Sequence, residues 1–241
     1  MGKRGGPAEL DHGIGHEHDD VTGGWLRPAV FGAMDGLVSN TALIAGMAGG
    51  GAAPSVIILA GLAGLAAGAF SMAAGEYTSV AAQAESAEAE IAKERQELLT
   101  NPTGEQAELA ASYEALGVSP DVAREVARQL HQNLEQALRV HSREELGVTL
   151  DDLPSAKLAA VSSFSAFAVG ALVPLVPYLL GATVIWPALV LALLGLFGCG
   201  AVVTRVTSRP WWFGGSRQLI LGALAAALTY GIGALVGVGL G

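Results

Sequence analysis

Four glutamates stand as two pairs, Glu94-x-x-Glu97 and Glu105-x-x-Glu108, on either side of Asn101-Pro102-Thr103-Gly104. Residues three apart share a helix face, so a turn at this Pro-Gly segment folds the two pairs toward each other. Carboxylates brought together in this way can hold divalent cations. At about 100° per residue, Glu94 and Glu97 lie along one edge of an apolar stripe formed by Ala84, Ala87, Ile91 and Leu98. Glu105 and Glu108 border Leu109 and Leu116 in the same way. A third stripe, Val122, Val126, Leu130, Leu134 and Leu138, continues into His141, Glu144 and Glu145, where leucines are due. Polar groups on a core face need a partner, and a metal ion is one. A single E-x-x-E carries little information, because any acidic helix produces it; two pairs at a hinge with His141 and Glu145 carry more.

A second group lies in apolar surroundings: Asp35, Met72 and Glu76. A carboxylate inside a membrane costs at least a few kcal/mol, which marks it for function. Counting from the inner ends of their helices, Asp35 lies roughly 11 Å deep and Met72 roughly 12 Å deep on an antiparallel neighbour. Glu76 sits one turn below Met72 on the same face. A carboxylate with a thioether suits a borderline first-row ion such as Fe²⁺ better than Mg²⁺ or Ca²⁺. The plainer readings are that Met72 fills a packing gap and that Asp35 caps a broken helix or pairs with Asn40.

The elements that must position these groups are helices in a bilayer. Five apolar stretches, roughly 28–49, 54–80, 156–180, 183–203 and 219–240, each reach the about 20 residues needed to cross a hydrocarbon core. All thirteen lysines and arginines fall before the first stretch, between the second and third (with Lys157 at the third's inner end), or between the fourth and fifth. The 50–54 and 180–183 loops carry no charge. This alternation predicts a cytosolic N-terminus and an outer C-terminus. The fold class expected is all-α: a polytopic membrane protein of five transmembrane helices with a three-helix cytosolic insert between spans two and three. Its parts are a His/Asp-rich leader (1–24), spans one and two (25–80), the insert (81–155) and spans three to five (156–241). In the insert, one helix continues from the second span to about residue 99. A second covers 105–116, and a third runs from the Ser119-Pro120-Asp121 start signal to Leu146. Pro174 and Pro177 should kink the third span, and Trp25, Trp186, Trp211 and Trp212 should anchor at the interfaces.

The net charge of −9 resides in the insert, where residues 81–153 hold fifteen acids against six bases. That balance argues against nucleic acid and suits cations, although acidic helices also serve simply as solubilising surfaces. The 33 glycines suit close-packed membrane helices. The single Cys199 allows no intrachain disulfide, and the polar leader is no cleavable signal peptide. In the insert no glutamate precedes a histidine by three, as a ferritin-like di-iron enzyme would need on two helices, and no nucleophile or phosphate motif occurs. Nothing predicts an enzyme or a permanently bound cofactor.

Asp35-Gly36-Leu37-Val38-Ser39-Asn40 and Ser71-Met72-Ala73-Ala74-Gly75-Glu76-Tyr77, with the five-span layout and the glutamate-rich insert, resemble the vacuolar iron transporter family. The resemblance covers nearly everything after residue 25. It implies a homodimeric carrier that exports Fe²⁺, and often Mn²⁺, from the cytosol in exchange for protons. By similarity, Asp35 and Met72 fall on the translocation path. Glu94, Glu97, Glu105, Glu108 and Glu145 fall at the family's cytosolic metal-binding positions. Gly64 stands where eukaryotic members carry a further path glutamate, and the insert lacks the methionines expected in its third helix, where His141 stands nearby instead. The D-G-L-V-S-N wording is similar to the bacterial branch, which implies the bacterial cytoplasmic membrane. The rivals are a membrane-anchored metal sensor or buffer, in which the spans are only an anchor, and an organic-solute carrier.

Overall fold

The computed structural model describes residues 24–150, 153–207 and 209–240; most of the His/Asp-rich leader lies outside them. The described residues form helices and no strands: α1 (Leu26–Gly49), α2 (Pro54–Thr100), α3 (Pro102–Ala115), α4 (Pro120–Leu130), α5 (Leu134–Glu144), α6 (Ala156–Leu172), α7 (Val176–Leu179), α8 (Trp186–Thr207) and α9 (Trp211–Leu240). Five helical stretches among them are long and apolar enough to cross a membrane: Leu26–Gly49, Pro54–Thr100, Ala156–Leu179, Trp186–Thr204 and Trp211–Gly237. The all-α, five-span expectation therefore holds.

α1 is the hub, packing on α6, α9, α2 and α8, while α2 lies against α6 and α8 against α9. Small residues make this close approach possible. A Cβ on Gly36 would sit 2.8 Å from the Ala171 amide nitrogen, so the α1–α6 contact is backbone to backbone. The bundle interior is filled by Ile44, Ile57, Leu175, Tyr178 and Ala188, and by Ala69, Phe167 and Ala171. Large apolar side chains such as Leu59, Phe70, Leu194 and Leu228 are exposed on its outside, where acyl chains solvate them. Trp25, Trp186, Trp211 and Trp212 are also exposed, as interfacial anchors should be. The third span breaks where its prolines predict, with a 3-10 turn at Val173–Leu175 between α6 and α7. The fifth span's helix begins at Trp211, earlier than its apolar run suggests.

α2 holds 47 residues. At 1.5 Å per residue that is about 70 Å, roughly twice a hydrocarbon core, so its second half stands clear of the membrane as the first insert helix. Three expectations for the insert are corrected. The Pro-Gly segment is not a turn between helices but the first turn of α3. Asn101 caps it by accepting from the Gly104 amide (3.2 Å), and Pro102, which has no N–H to satisfy, follows directly. The expected third helix is interrupted at 131–133. There Asn133 accepts from the Glu135 and Gln136 amides (2.9 and 3.3 Å) and starts α5 afresh. The buried face of α4 is also rotated from the predicted stripe. Ala123 and Ala127 are buried, whereas Val122 and Val126 are exposed, because the small alanines let α4 lie close against α3. Leu98 packs with Ala137 and Leu138, and Leu109 with Ala110 and Ala127. A bidentate Arg95–Glu135 ion pair (2.7 and 3.1 Å) ties α2 to α5.

Candidate metal sites

In the insert, each buried polar side chain sits one turn from a core leucine on its own helix. Glu94 precedes Leu98 on α2, Glu105 precedes Leu109 on α3, and His141 follows Leu138 on α5. Packing of those leucines therefore drives the polar groups inward together. Glu94 (5 % exposed), Glu105 (9 %) and His141 (0 %) offer ligand atoms that all lie within 4.8 Å of one another. His141 Nδ1 is 3.0 Å from Glu94 Oε1 and 2.8 Å from Glu145 Oε1. Neither the imidazole nitrogen nor Glu94 Oε1 has a hydrogen-bond partner. Lone pairs thus converge with no proton aligned between them, an arrangement that leaves buried acceptors unsatisfied unless a cation joins them.

The electrostatics agree. Burial, followed by the charges of Glu145, Glu105, Glu97 and Glu108, pushes the Glu94 carboxyl up to about 7. Burial and then Glu108, Glu105 and Glu97 raise Glu145. Burial and the neighbouring His131 lower His141, against the upward pull of Glu105 and Glu108. A divalent cation would relieve every one of these carboxylate repulsions, and an oxygen-rich set with one imidazole suits first-row divalent ions. Glu97 is half exposed and 3.8 Å from Lys93, and Glu108 is exposed, so both border the cluster rather than line it. Glu144, expected on the same face, is exposed and its charge acts on Tyr113 instead. His131 was not anticipated; it reaches His141 Nε2 at 3.3 Å only because the helix breaks beside it.

The second site is a cleft of about 340 Å³ between α1, α2 and α6, lined by Asp35, Ser39, Asn40, Gly64, Ser71 and Met72 among others. Asp35 and Met72, matched in depth by residue counting, do share it. Glu76, one turn away on α2, is not among its lining residues. α1 is unbroken through Asp35, so the carboxylate caps nothing. Its hydroxyl neighbour is Ser39, whose Oγ donates to the Asp35 carbonyl and lies 3.4 Å from Asp35 Oδ1. Nor does Asp35 pair with Asn40. The buried Asn40 donates from Nδ2 to the Ala171 carbonyl (2.6 Å), which leaves its Oδ1 without a hydrogen-bond partner. A Cβ at position 64 would meet Leu43 Cδ2 at 2.6 Å and that oxygen at 3.2 Å, so Leu43 and Asn40 together occupy the space that a glycine there vacates. An asparagine within an apolar span was the available signal for this further oxygen.

The VIT family is matched over residues 26–234. The chain is similar to the vacuolar iron transporter of Acanthamoeba castellanii (strain ATCC 30010 / Neff), at 38% identity over 92% of this chain and 83% of that one. It is similar to vacuolar iron transporter 2 of Oryza sativa subsp. japonica, at 32% identity over 86% of this chain and 85% of that one. Vacuolar iron transporter 1 of Arabidopsis thaliana is 29% identical over 92% of this chain and 89% of its own length.

Proposed function

The chain belongs to the VIT family, and from that premise we propose that it exports Fe²⁺, and also Mn²⁺, from the cytosol in exchange for protons. As a member of a family of transporters it is not an enzyme. The observation that carries the reading is the polar cleft within the spans, where Asp35, the free carbonyl of Asn40 and Met72 meet. An anchor has no use for such a cleft. Metal is gathered at the insert by Glu94, Glu105, His141 and Glu145, with Glu97 and Glu108 at the mouth. It then passes to Asp35 and Met72, and Glu76 lies on the approach. Asp35 alternates between metal-bound and protonated states, because a carboxylate must be ionised to ligate.

The basic-residue alternation supports a cytosolic N-terminus and insert and an outer C-terminus, and the D-G-L-V-S-N wording supports a bacterial cytoplasmic membrane. The working unit is a homodimer. Asp35 is exposed on the single chain, where lipid would meet a carboxylate, and a second copy covering α1 and α2 removes that cost. The test is Fe²⁺ entry into proteoliposomes, read by quenching of a trapped dye, for wild type beside Asp35→Ala. Quenching that is lost in the variant supports the carrier. Metal binding by the insert with no entry in either protein leaves a membrane-anchored sensor or buffer instead.

A further inference from the structure

We propose that His131 is a positioning residue that locks the His141 imidazole in the tautomer whose Nδ1 lone pair faces Glu94 and Glu145. The inference rests on the insert's being a metal site. It begins at the Ala127 carbonyl oxygen, which lies 2.8 Å from His131 Nδ1. A carbonyl only accepts, so that nitrogen carries the hydrogen. In the neutral ring His131 Nε2 is then a lone pair, and it stands 3.3 Å from His141 Nε2. Two lone pairs would repel at this distance, so His141 Nε2 donates. A neutral imidazole protonated at Nε2 has its free lone pair at Nδ1. That is the atom found 3.0 Å from Glu94 Oε1 and 2.8 Å from Glu145 Oε1, with no hydrogen-bond partner of its own. A ligating histidine commonly has its tautomer fixed by a hydrogen bond at its other nitrogen, and removing that partner typically weakens metal binding about 10–100-fold.

The fold has an identifiable device for building this contact. In an unbroken helix, residues ten apart lie about 15 Å apart along the axis and cannot touch. The interruption at 131–133, fixed by the Asn133 cap, turns α5 back on α4 so that the two rings meet edge to face, 5.1 Å between centroids and 83° between planes. The helix break therefore serves the site and is not merely a connector.

The test uses the full-length protein in detergent, with Mn²⁺ as the probe and free Mn²⁺ read by its paramagnetic resonance signal. His131→Phe keeps an aromatic ring but offers no acceptor. It should weaken Mn²⁺ binding about 10-fold or more. In a His141→Ala background the same change should have no further effect, because the ring it positions is gone. Independently of any substitution at 131, ¹⁵N shifts of labelled histidine, assigned by the signal missing in His141→Ala, should give an unprotonated Nδ1 at His141 in the metal-free wild type. Wild-type affinity in His131→Phe, an equal loss in the His141→Ala background, or a protonated Nδ1 at His141 would each overturn the proposal. A wild-type protein that binds no Mn²⁺ would remove the metal reading of the insert as well.

Discussion

Replacing Glu94 by glutamine keeps the side chain's shape and removes its charge. Without metal it should therefore strengthen the insert. The carboxyl rises from 4.5 to about 7 on folding, through burial first and then four neighbouring glutamates. At about 1.4 kcal/mol per pKa unit the ceiling is about 3 kcal/mol, and solvent screening of the exposed members brings it to about 1–2 kcal/mol. The sign follows from linkage: the folded state keeps a proton that the unfolded chain releases above 4.5. Stability is thus fullest below that pH, falls as pH rises to about 7, and is level beyond. Hydrogen exchange of the α5 backbone amides reads this locally, after correction for the intrinsic rates. At pH 8 with chelator, Glu94→Gln should exchange about 5–30-fold more slowly than wild type, and the gap should close toward pH 4.5. Saturating Mn²⁺ should reverse the order, because wild type gains a ligand that the amide lacks. Faster exchange in Glu94→Gln at pH 8 without metal would be the contrary result. It would mean that Glu94 is an ionised partner of a protonated His141, and that the acceptors do not stand unsatisfied.

The same carboxyl sets a pH profile for binding: Mn²⁺ affinity should climb as pH rises through about 7 and flatten above it, and Glu94→Gln should flatten that slope; an equal slope in both proteins contradicts it. Gly36→Ala would push a methyl into the Phe167 and Ala171 backbone, so α1 and α6 must separate, and the protein should melt earlier in detergent by an amount equivalent to about 1–3 kcal/mol. Arg95→Ala should cost less than about 1 kcal/mol by the same melt, because the Arg95–Glu135 pair is largely exposed. Asn40→Leu removes both the anchor to Ala171 and the free carbonyl oxygen, and metal flux should fall about 10-fold or more while insert binding is unchanged.

Much of this was legible beforehand because hydropathy and charge act over whole segments. The five spans, the proline break in the third and the shared depth of Asp35 and Met72 all follow from counting apolar residues. The gathering of Glu94, Glu105 and His141 followed from polar residues on faces that otherwise carry leucine. What escaped depended on single side chains competing with the backbone. Asn101 and Asn133 each cap a helix, moving one start to Pro102 and splitting another in two, and asparagine reads equally well as loop or cap. The Asn133…Gln136 spacing was the cue for the second. Val122 and Val126 looked like core by hydrophobicity, yet close packing against α3 favoured Ala123 and Ala127. His131 had no cue at all, because its contact exists only once the helix is broken.

In the proposed cycle metal moves across the spans by way of Asp35 against a flow of protons. The direct measurement records Mn²⁺ entry and internal pH together in the same proteoliposomes, for wild type and Asp35→Ala. Metal entry should be accompanied by proton exit, with both abolished in the variant. Metal entry that leaves internal pH unchanged, or that proceeds equally well without the Asp35 carboxylate, would contradict this cycle.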